Sequence, residues 1–169
     1  PLRLVGSEMC IRDRYKKGKK RDELLDFFRM RSDMKTIESI YRLKKYYGSG
    51  SDIHTGSFFN SGITSFSEKE LASLLAASSP DEVLELLKKT RYGKYLPAGD
   101  MVIERKTAIM QLRINEKQLR YSTHPETVFL SYVGIMENEM QNVTHIIEGI
   151  RYSLPPEEIM KYLIKSDDK

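Results

Sequence analysis

The chain has 169 residues, 40% of them hydrophobic and 31% charged, a composition typical of a soluble, helix-rich protein with one domain or two small ones. It contains neither an apolar run long enough to span a membrane nor a secretory signal pattern. Cys10 is the only cysteine, which excludes a disulfide within the chain and favours a reducing, cytoplasmic setting.

The net charge of +4 is concentrated at the start of the chain. Residues 1–21 hold eight Lys or Arg against two acidic residues, whereas the rest carries 20 basic and 22 acidic groups. Residues 1–14 start with Pro1, lack helical or strand periodicity and resemble translated sequencing-adapter DNA, so we expect them to be foreign or disordered and the chain to be a fragment. The run from Lys16 to Arg21 beside Tyr15 can neutralise phosphates, which leaves a nucleic-acid-binding or adaptor module as the alternative function.

Apolar residues spaced by threes and fours predict a first helix from Asp22 to Tyr47. A stretch rich in Ser and Gly then reaches Phe66 and is predicted to be an ordered loop. Ser67 followed by Glu70 has the pattern of a capping box and opens a short helix. Ser79-Pro80, with Glu82 three residues after the serine, opens a second short helix, for which Gly93 is the predicted C-terminal cap.

The second half of the chain is organised around one long helix. Asp100 is predicted to cap a helix over residues 101–120, and His124-Pro125 opens the long one, which runs to Arg151 and would be about 40 Å long. Its apolar residues recur by threes and fours, which predicts a single buried stripe. That predicted stripe consists of Phe129, Tyr132, Val133, Met136, Met140, Val143, Ile147 and Ile150.

The long helix ends at a Pro-Pro break, and a last helix is predicted from Glu157 to about Ile164. No stretch has a strand pattern of comparable quality, so the predicted fold class is all-α, with long antiparallel helices and short capping helices.

A shift of 106 residues aligns the first helix with the long one. It places Asp33-Met34 on Glu139-Met140, and in both copies a basic-Tyr pair comes before a helix breaker. We interpret this as two copies of a helical subdomain. The expected division is a helical segment of a middle subdomain over residues 15–66, holding the first copy, and a C-terminal subdomain over residues 67–169, holding the second.

No pattern for catalysis or cofactor binding stands out. His54, His124 and His145 are too widely spaced to be metal ligands of one motif, and Glu137 and Glu139 point in different directions from a helix, so they cannot form an acid–base pair. Nucleotide-binding glycine loops and a serine nucleophile elbow are absent from the sequence. We therefore expect a protein without enzymatic activity, cofactor or metal.

Three groups of residues carry a resemblance to a known family. The first runs from Tyr132 through the Glu139-Met140-Gln141-Asn142 core to Leu154-Pro155-Pro156-Glu157-Glu158-Ile159, the second is Ile40-Tyr41-Arg42-Leu43-Lys44, and the third is the helix end Leu86-Leu87-Lys88-Lys89-Thr90-Arg91-Tyr92-Gly93. Over about residues 33–163 the chain resembles the later part of the C subunit of archaeal-type and bacterial V-type ATPases or ATP synthases, whose counterpart in the vacuolar enzyme is called the d subunit. It departs from that pattern at Thr36, where the family often has Asn, and at Tyr152-Ser153, where Gly often precedes the Leu.

The resemblance implies a funnel-like arrangement of repeated helical subdomains and a non-catalytic rotor part. Such a rotor part couples rotation of the soluble central stalk to the membrane proteolipid ring that carries H⁺ or Na⁺. The implied partners are central-stalk subunits and that ring, with no nucleic acid expected, and the implied location is peripheral, on the cytoplasmic face of the membrane. The matching positions, expected to be structural or to lie at interfaces, are Arg42, Lys44, Tyr92, Gly93, Glu137, Glu139, Asn142, Pro155 and Pro156.

Overall fold

The computed structural model describes residues 16–47 and 64–166, and all regular secondary structure within these ranges is helical, as predicted. There are six α-helices in this part of the chain, and one 3₁₀ turn at Gly93–Tyr95. The helices are α1 (Lys19–Tyr47), α2 (Glu68–Ala76), α3 (Pro80–Lys88), α4 (Ile103–Tyr121), α5 (Pro125–Arg151) and α6 (Pro156–Tyr162).

The chain forms two compact units, residues 1–94 and residues 95–169. This division lies further along the chain than the one expected from the repeat at residues 66 and 67, which stays a prediction. The expectations for residues 1–14 and for most of the Ser/Gly-rich loop fall outside the described residues.

In unit 1, α1 contributes a buried apolar face that packs against α3, and α2 also packs against α3. The helix begins three residues before the predicted start at Asp22 and ends at Tyr47 as predicted. Asp22 in its first turn and Lys44 and Lys45 in its last turn complement the helix dipole. The buried apolar residues of α1 are Leu24, Leu25, Phe27, Met30, Met34, Ile37 and Ile40.

The starts of α2 and α3 follow the cap signals in the sequence. The Ser67 Oγ accepts a hydrogen bond from the Glu70 N–H, and the Glu70 carboxylate accepts one from the Ser67 N–H at 2.8 Å, which completes the predicted capping box. Ser79 caps α3 through the Glu82 N–H, with Pro80 in the first turn. The Glu82 carboxylate bonds to the Ser78 N–H and hydroxyl. These contacts satisfy donors that the first turn of a helix leaves unpaired.

Two predicted caps are wrong. Helix α3 ends at Lys88 with Lys89 as its C-cap, so Gly93 lies beyond the helix and begins the 3₁₀ turn. Val102, with no side-chain cap bond, precedes α4 in place of the predicted Asp100. Gly99, just before Asp100, has a φ of 86°, and Met101 and Val102 separate Asp100 from the start of the helix.

Unit 2 is built on the pairing of α4 with α5. The Ser131 hydroxyl donates to Gln118 Oε1, and Gly134 lies against Asn115, so residue numbers rise on one helix as they fall on the other. The two helices are therefore antiparallel, as a connection of residues 122–124 requires. A small core in this unit contains Ile109, Leu112 and Ile164, with Met101, Ala108 and Ile135 packed against it.

The long helix has the predicted bounds, Pro125–Arg151, and α6 spans Pro156–Tyr162, slightly shorter than predicted. Among the described residues, no helix combines the length and the apolar character needed to cross a bilayer.

Candidate partner-binding surface

The predicted buried stripe of α5 is wrong, because the helix turns its small and polar face inward. Thr127 and Ser131 are fully buried, and Gly134, Asn138 and Gly149 are buried along the same side. A Cβ on Gly134 would lie 2.4 Å from the Asn115 Nδ2 of α4, and one on Gly149 would lie 2.6 Å from the Ile159 Cγ1 of α6. The absence of side chains at these two positions therefore allows α4 and α6 to approach the α5 backbone closely.

The apolar side of α5 lies on the opposite side of the helix and faces solvent. Phe129 is 64% exposed, Met140 is 69% exposed and Ile150 is 67% exposed. A helical rotation of about 100° per residue places this side about half a turn from the inward face. We call it the outer face of α5 and define it as Phe129, Tyr132, Met136, Met140, Val143, Ile147 and Ile150.

Glu137 and Glu139, two of the positions singled out in the sequence, are exposed on α5 near the outer face. At about 100° per residue they diverge by about 200°, so they border the outer face on its two sides. Their side chains therefore do not converge on a common point.

Asn142 holds the end of the described chain against α5. Its Nδ2 donates to the Ile164 carbonyl at 3.0 Å, and its Oδ1 accepts from the Ile164 N–H at 2.7 Å. From α4, Arg105 donates to the Leu163 carbonyl and Arg113 to the Ser166 carbonyl. The extended residues after α6 thus have their backbone groups paired with side chains of both long helices.

Pro155 and Pro156 are exposed and shape the turn from α5 into α6. Pro155 is the N-cap residue and Pro156 occupies the first turn, where the missing N–H leaves no hydrogen bond unmade. Ser153, just before them, has a φ of 56°, in the left-handed region. This turn brings Ile159 onto Gly149.

In unit 1, Tyr92 is buried and donates its hydroxyl proton to the carboxylate of Asp33. The same carboxylate, fully buried on α1, accepts hydrogen bonds from the Thr64 hydroxyl and, at 3.0 Å, from the Ser65 N–H. The Tyr92 ring meets Phe66 edge to face, with centroids 5.4 Å apart. Asp33 therefore joins α1 to the segment before α2 and to the segment after α3.

Burial is the main influence on the pKa values of Asp33 and Tyr92. It raises the pKa of Asp33 above its ordinary 3.8, although the hydrogen bonds from Thr64, Tyr92 and Ser65 act to lower it. Burial, followed by the negative charge of Asp33, raises the pKa of Tyr92 above its ordinary 10.0. The hydroxyl therefore remains a donor to Asp33 throughout the neutral range.

Gly93 is required by a close approach. A Cβ at this position would lie 2.0 Å from the Lys88 carbonyl oxygen, so a larger residue cannot keep this backbone path. The remaining two predicted positions lie in the last turns of α1: Arg42 is exposed and Lys44 is half-buried. Hydrogen bonds from Ser78 lower the pKa of Glu82, and the charge of Lys44 contributes to the same shift, which places Lys44 near the start of α3.

The nine predicted positions thus divide into four in unit 1 and five in unit 2, and the structure gives structural contacts to Tyr92, Gly93 and Asn142. Sequence reasoning missed the role of Asp33. The available signal was a carboxylate among apolar residues spaced by threes and fours, between Met30 and Ile37, on the face that a helix buries. It also missed the small and polar stripe of α5, although Gly134 and Gly149 mark it.

The basic run of the alternative function lies at the start of α1. Lys16, Lys17 and Lys19 are exposed, and Arg21 is half-buried with its Nε 4.0 Å from the Asp22 carboxylate. Tyr15 falls outside the described residues. Across residues 16–47 and 64–166, no group of three or more His, Cys, Asp or Glu side chains is arranged to hold a metal ion.

Comparison with known proteins gives the chain its family. The family described as ATP synthase (C/AC39) subunit matches residues 8–162. A curated relative, the C subunit of the A-type ATP synthase of Haloferax volcanii, is 27% identical over 156 residues, which cover 87% of this chain and 43% of the relative. The chain thus spans less than half the length of that relative, and no solved structure matches it. Because the match extends over most of its residues, the chain belongs to the C/AC39 family of ATP synthase subunits.

Proposed function

We propose that the chain is part of a non-catalytic central-stalk subunit of an A-type or V-type rotary ATPase. In this role it couples rotation of the soluble central stalk to the membrane ring that carries H⁺ or Na⁺. The observation that carries the proposal is the family match over residues 8–162, together with a relative named as the C subunit of an A-type ATP synthase. The partners are central-stalk subunits and the proteolipid ring, and the location is peripheral to the membrane through that ring.

The construction of unit 2 supports a mechanical role. A part that transmits torque must resist bending and twisting, and α4 and α5 pair along their length through a close approach at Gly134 and Asn115. The residues after α6 are held to both helices by side-chain bonds from Arg105, Arg113 and Asn142. Close-packed interiors of this kind transmit strain because they have low compressibility.

Co-purification tests the proposal. The tagged chain is incubated with detergent-solubilised membranes from cells whose A-type ATPase lacks its own C subunit, and the captured proteins are identified by mass spectrometry. We expect central-stalk and ring subunits to be retained by the wild-type chain and absent from a heat-unfolded control. Retention of neither, by a chain whose circular dichroism shows folded helices, would contradict the rotor function.

A second measurement separates the rotor function from the alternative. Binding of DNA and RNA is measured at several salt concentrations with the full chain and with a chain that begins at Asp22 and lacks the basic run. The rotor function predicts weak binding that disappears with rising salt and with the truncation, as expected for phosphate neutralisation alone. Tight binding by the truncated chain would favour a nucleic-acid-binding module.

A further inference from the structure

Two segments flank the helices of unit 2, and side chains of the long helices bind the backbone of each. We call residues 95–99, which precede α4, the entry segment, and residues 163–166, which follow α6, the exit segment. Lys106 of α4 holds the entry segment, since its Nζ donates to two of the carbonyls there at 2.6 Å and 3.4 Å. The exit segment is held by Arg105 of α4 and by Asn142 of α5. Each segment therefore has an attachment that does not involve the other.

Arg113 of α4 joins the two segments to each other. Its Nη1 donates to the Tyr95 carbonyl at 2.9 Å, and its Nε donates to the Ser166 carbonyl, also at 2.9 Å. The guanidinium is a rigid, permanently charged plane whose N–H donors have fixed directions. One side chain therefore sets the positions of two backbone carbonyls that lie far apart in the sequence.

A shared anchor of this kind makes the two contacts cooperative. An arginine loses much rotamer freedom when its side chain is fixed in one place. The first segment to bind Arg113 bears this entropy cost, and the second segment then meets a guanidinium that is already in position. When either segment leaves, the guanidinium regains its freedom and holds the other segment less well. Because hydrogen bonds from a charged donor are stronger than those between neutral groups, the effect on each segment is substantial.

We propose that Arg113 is a positioning residue that couples the entry and exit segments, so that opening of one promotes opening of the other. The entry segment starts at the first residue of unit 2, so a displacement of the chain at that point is transmitted to the exit segment through α4. The coupling rests on bonds inside unit 2. It is therefore independent both of the rotor function and of whatever lies against the outer face of α5.

Limited digestion of the full chain with trypsin measures the opening of both segments in one experiment. Trypsin cleaves after Lys94, at the bond that leads into Tyr95, and after Lys165, at the bond that leads into Ser166. Under native conditions the rate of cleavage at each bond follows the population in which that segment is open. Cleavage after Lys117, inside α4, reports unfolding of the unit as a whole. Mass spectrometry quantifies the products of the three cleavages.

The perturbation is Asn142→Ala, which removes two bonds to the backbone of the exit segment. We expect it to raise the rate of cleavage after Lys165 and also the rate after Lys94, each about threefold or more. In an Arg113→Gln background, the same change should raise the rate after Lys165 and leave the rate after Lys94 unchanged. Arg120→Gln is the matched control, since it removes an exposed arginine from the same helix and should preserve the response at both bonds.

The proposal is overturned if Asn142→Ala leaves cleavage after Lys94 unchanged, because the segments then open independently. A response at Lys94 that persists in the Arg113→Gln background would also overturn it, because another contact would then carry the coupling. Cleavage after Lys117 as fast as cleavage after Lys94 and Lys165 would show that unit 2 opens only as a whole, which again contradicts the proposal.

Discussion

At the scale of single residues, the Asp33 carboxylate shows how one buried acid can organise a unit. It accepts bonds from Thr64, Ser65 and Tyr92 and so connects three segments distant in sequence. Each donor would lose a partner if the carboxylate were absent, and an unpaired buried donor costs about 1–3 kcal/mol. We expect Asp33→Asn to destabilise unit 1 at neutral pH, because the amide nitrogen would face a donor.

The pKa of Asp33 gives this residue a characteristic effect of pH on stability. Its pKa is raised in the folded chain, so its contribution is fully present below the unfolded value near 3.8 and is lost as pH rises through the folded value. We predict that the free energy of unfolding of the wild type, minus that of Asp33→Asn, falls as pH rises from the unfolded pKa of Asp33 to its folded pKa. Urea unfolding of both proteins at a series of pH values measures this difference. A difference that rises with pH would mean that the hydrogen bonds outweigh the effect of burial.

Gly93 provides a second test at this scale. A methyl group in Gly93→Ala would meet the Lys88 carbonyl oxygen, which belongs to the backbone and cannot move without disturbing the end of α3. We expect a loss of about 1–3 kcal/mol in the free energy of unfolding, as for other overpacked sites. Gly18→Ala is the matched control, since a Cβ on Gly18 would have no neighbour within 4 Å. Equal midpoints of urea unfolding for the two variants would show that the close contact between position 93 and the Lys88 carbonyl oxygen does not limit stability.

At the scale of helices, the bounds of α1 and α5 could be predicted closely, because apolar periodicity and the Pro125 and Pro155-Pro156 signals act locally. Which face of α5 is buried could not be predicted from the sequence. An apolar stripe shows that a helix is amphipathic, but it does not show whether the rest of the chain or a partner covers that stripe. The inward direction is set by contacts that residue hydrophobicity does not report, namely the close approaches at Gly134 and Gly149.

The helix caps show the same difference between local signals and contacts made elsewhere in the fold. Ser67 and Ser79 were predictable because their cap signals are local: a capping box at Ser67 is complete within four residues, and Ser79 is followed directly by Pro80. Gly93 was assigned to a cap because glycine often ends helices, whereas its actual constraint is a contact with the carbonyl oxygen of Lys88, five residues earlier. Asp33 lay further beyond local reasoning, since its partners Thr64 and Tyr92 are 31 and 59 residues away in sequence.

The bond between Asn142 and the residues after α6 gives a prediction at the scale of elements. Asn142→Ala would leave both the N–H and the carbonyl of Ile164 without their partner on α5. We expect a destabilisation of about 1–3 kcal/mol and faster hydrogen exchange at the Ile164 amide. The neighbouring Gln141→Ala, at an exposed position, is the matched control. Unchanged exchange at Ile164 would show that Arg105 and Arg113 suffice to hold this segment.

At the scale of the whole molecule, the proposed coupling role requires contacts with partners and no chemistry of the chain's own. The purified chain should therefore hydrolyse no ATP by itself. Hydrolysis that co-purifies with the chain and is abolished by a point mutation in it would contradict this prediction.

The most direct test of the central claim is ion transport by a chimeric complex. In the C subunit of the Haloferax volcanii enzyme, the matching 43% of the subunit is replaced by the corresponding part of this chain, and ATP-driven uptake of H⁺ and Na⁺ is measured in membrane vesicles. We predict uptake with the chimera and none with a complex that lacks the C subunit. An assembled chimeric complex that hydrolyses ATP without transporting either ion would contradict the coupling role.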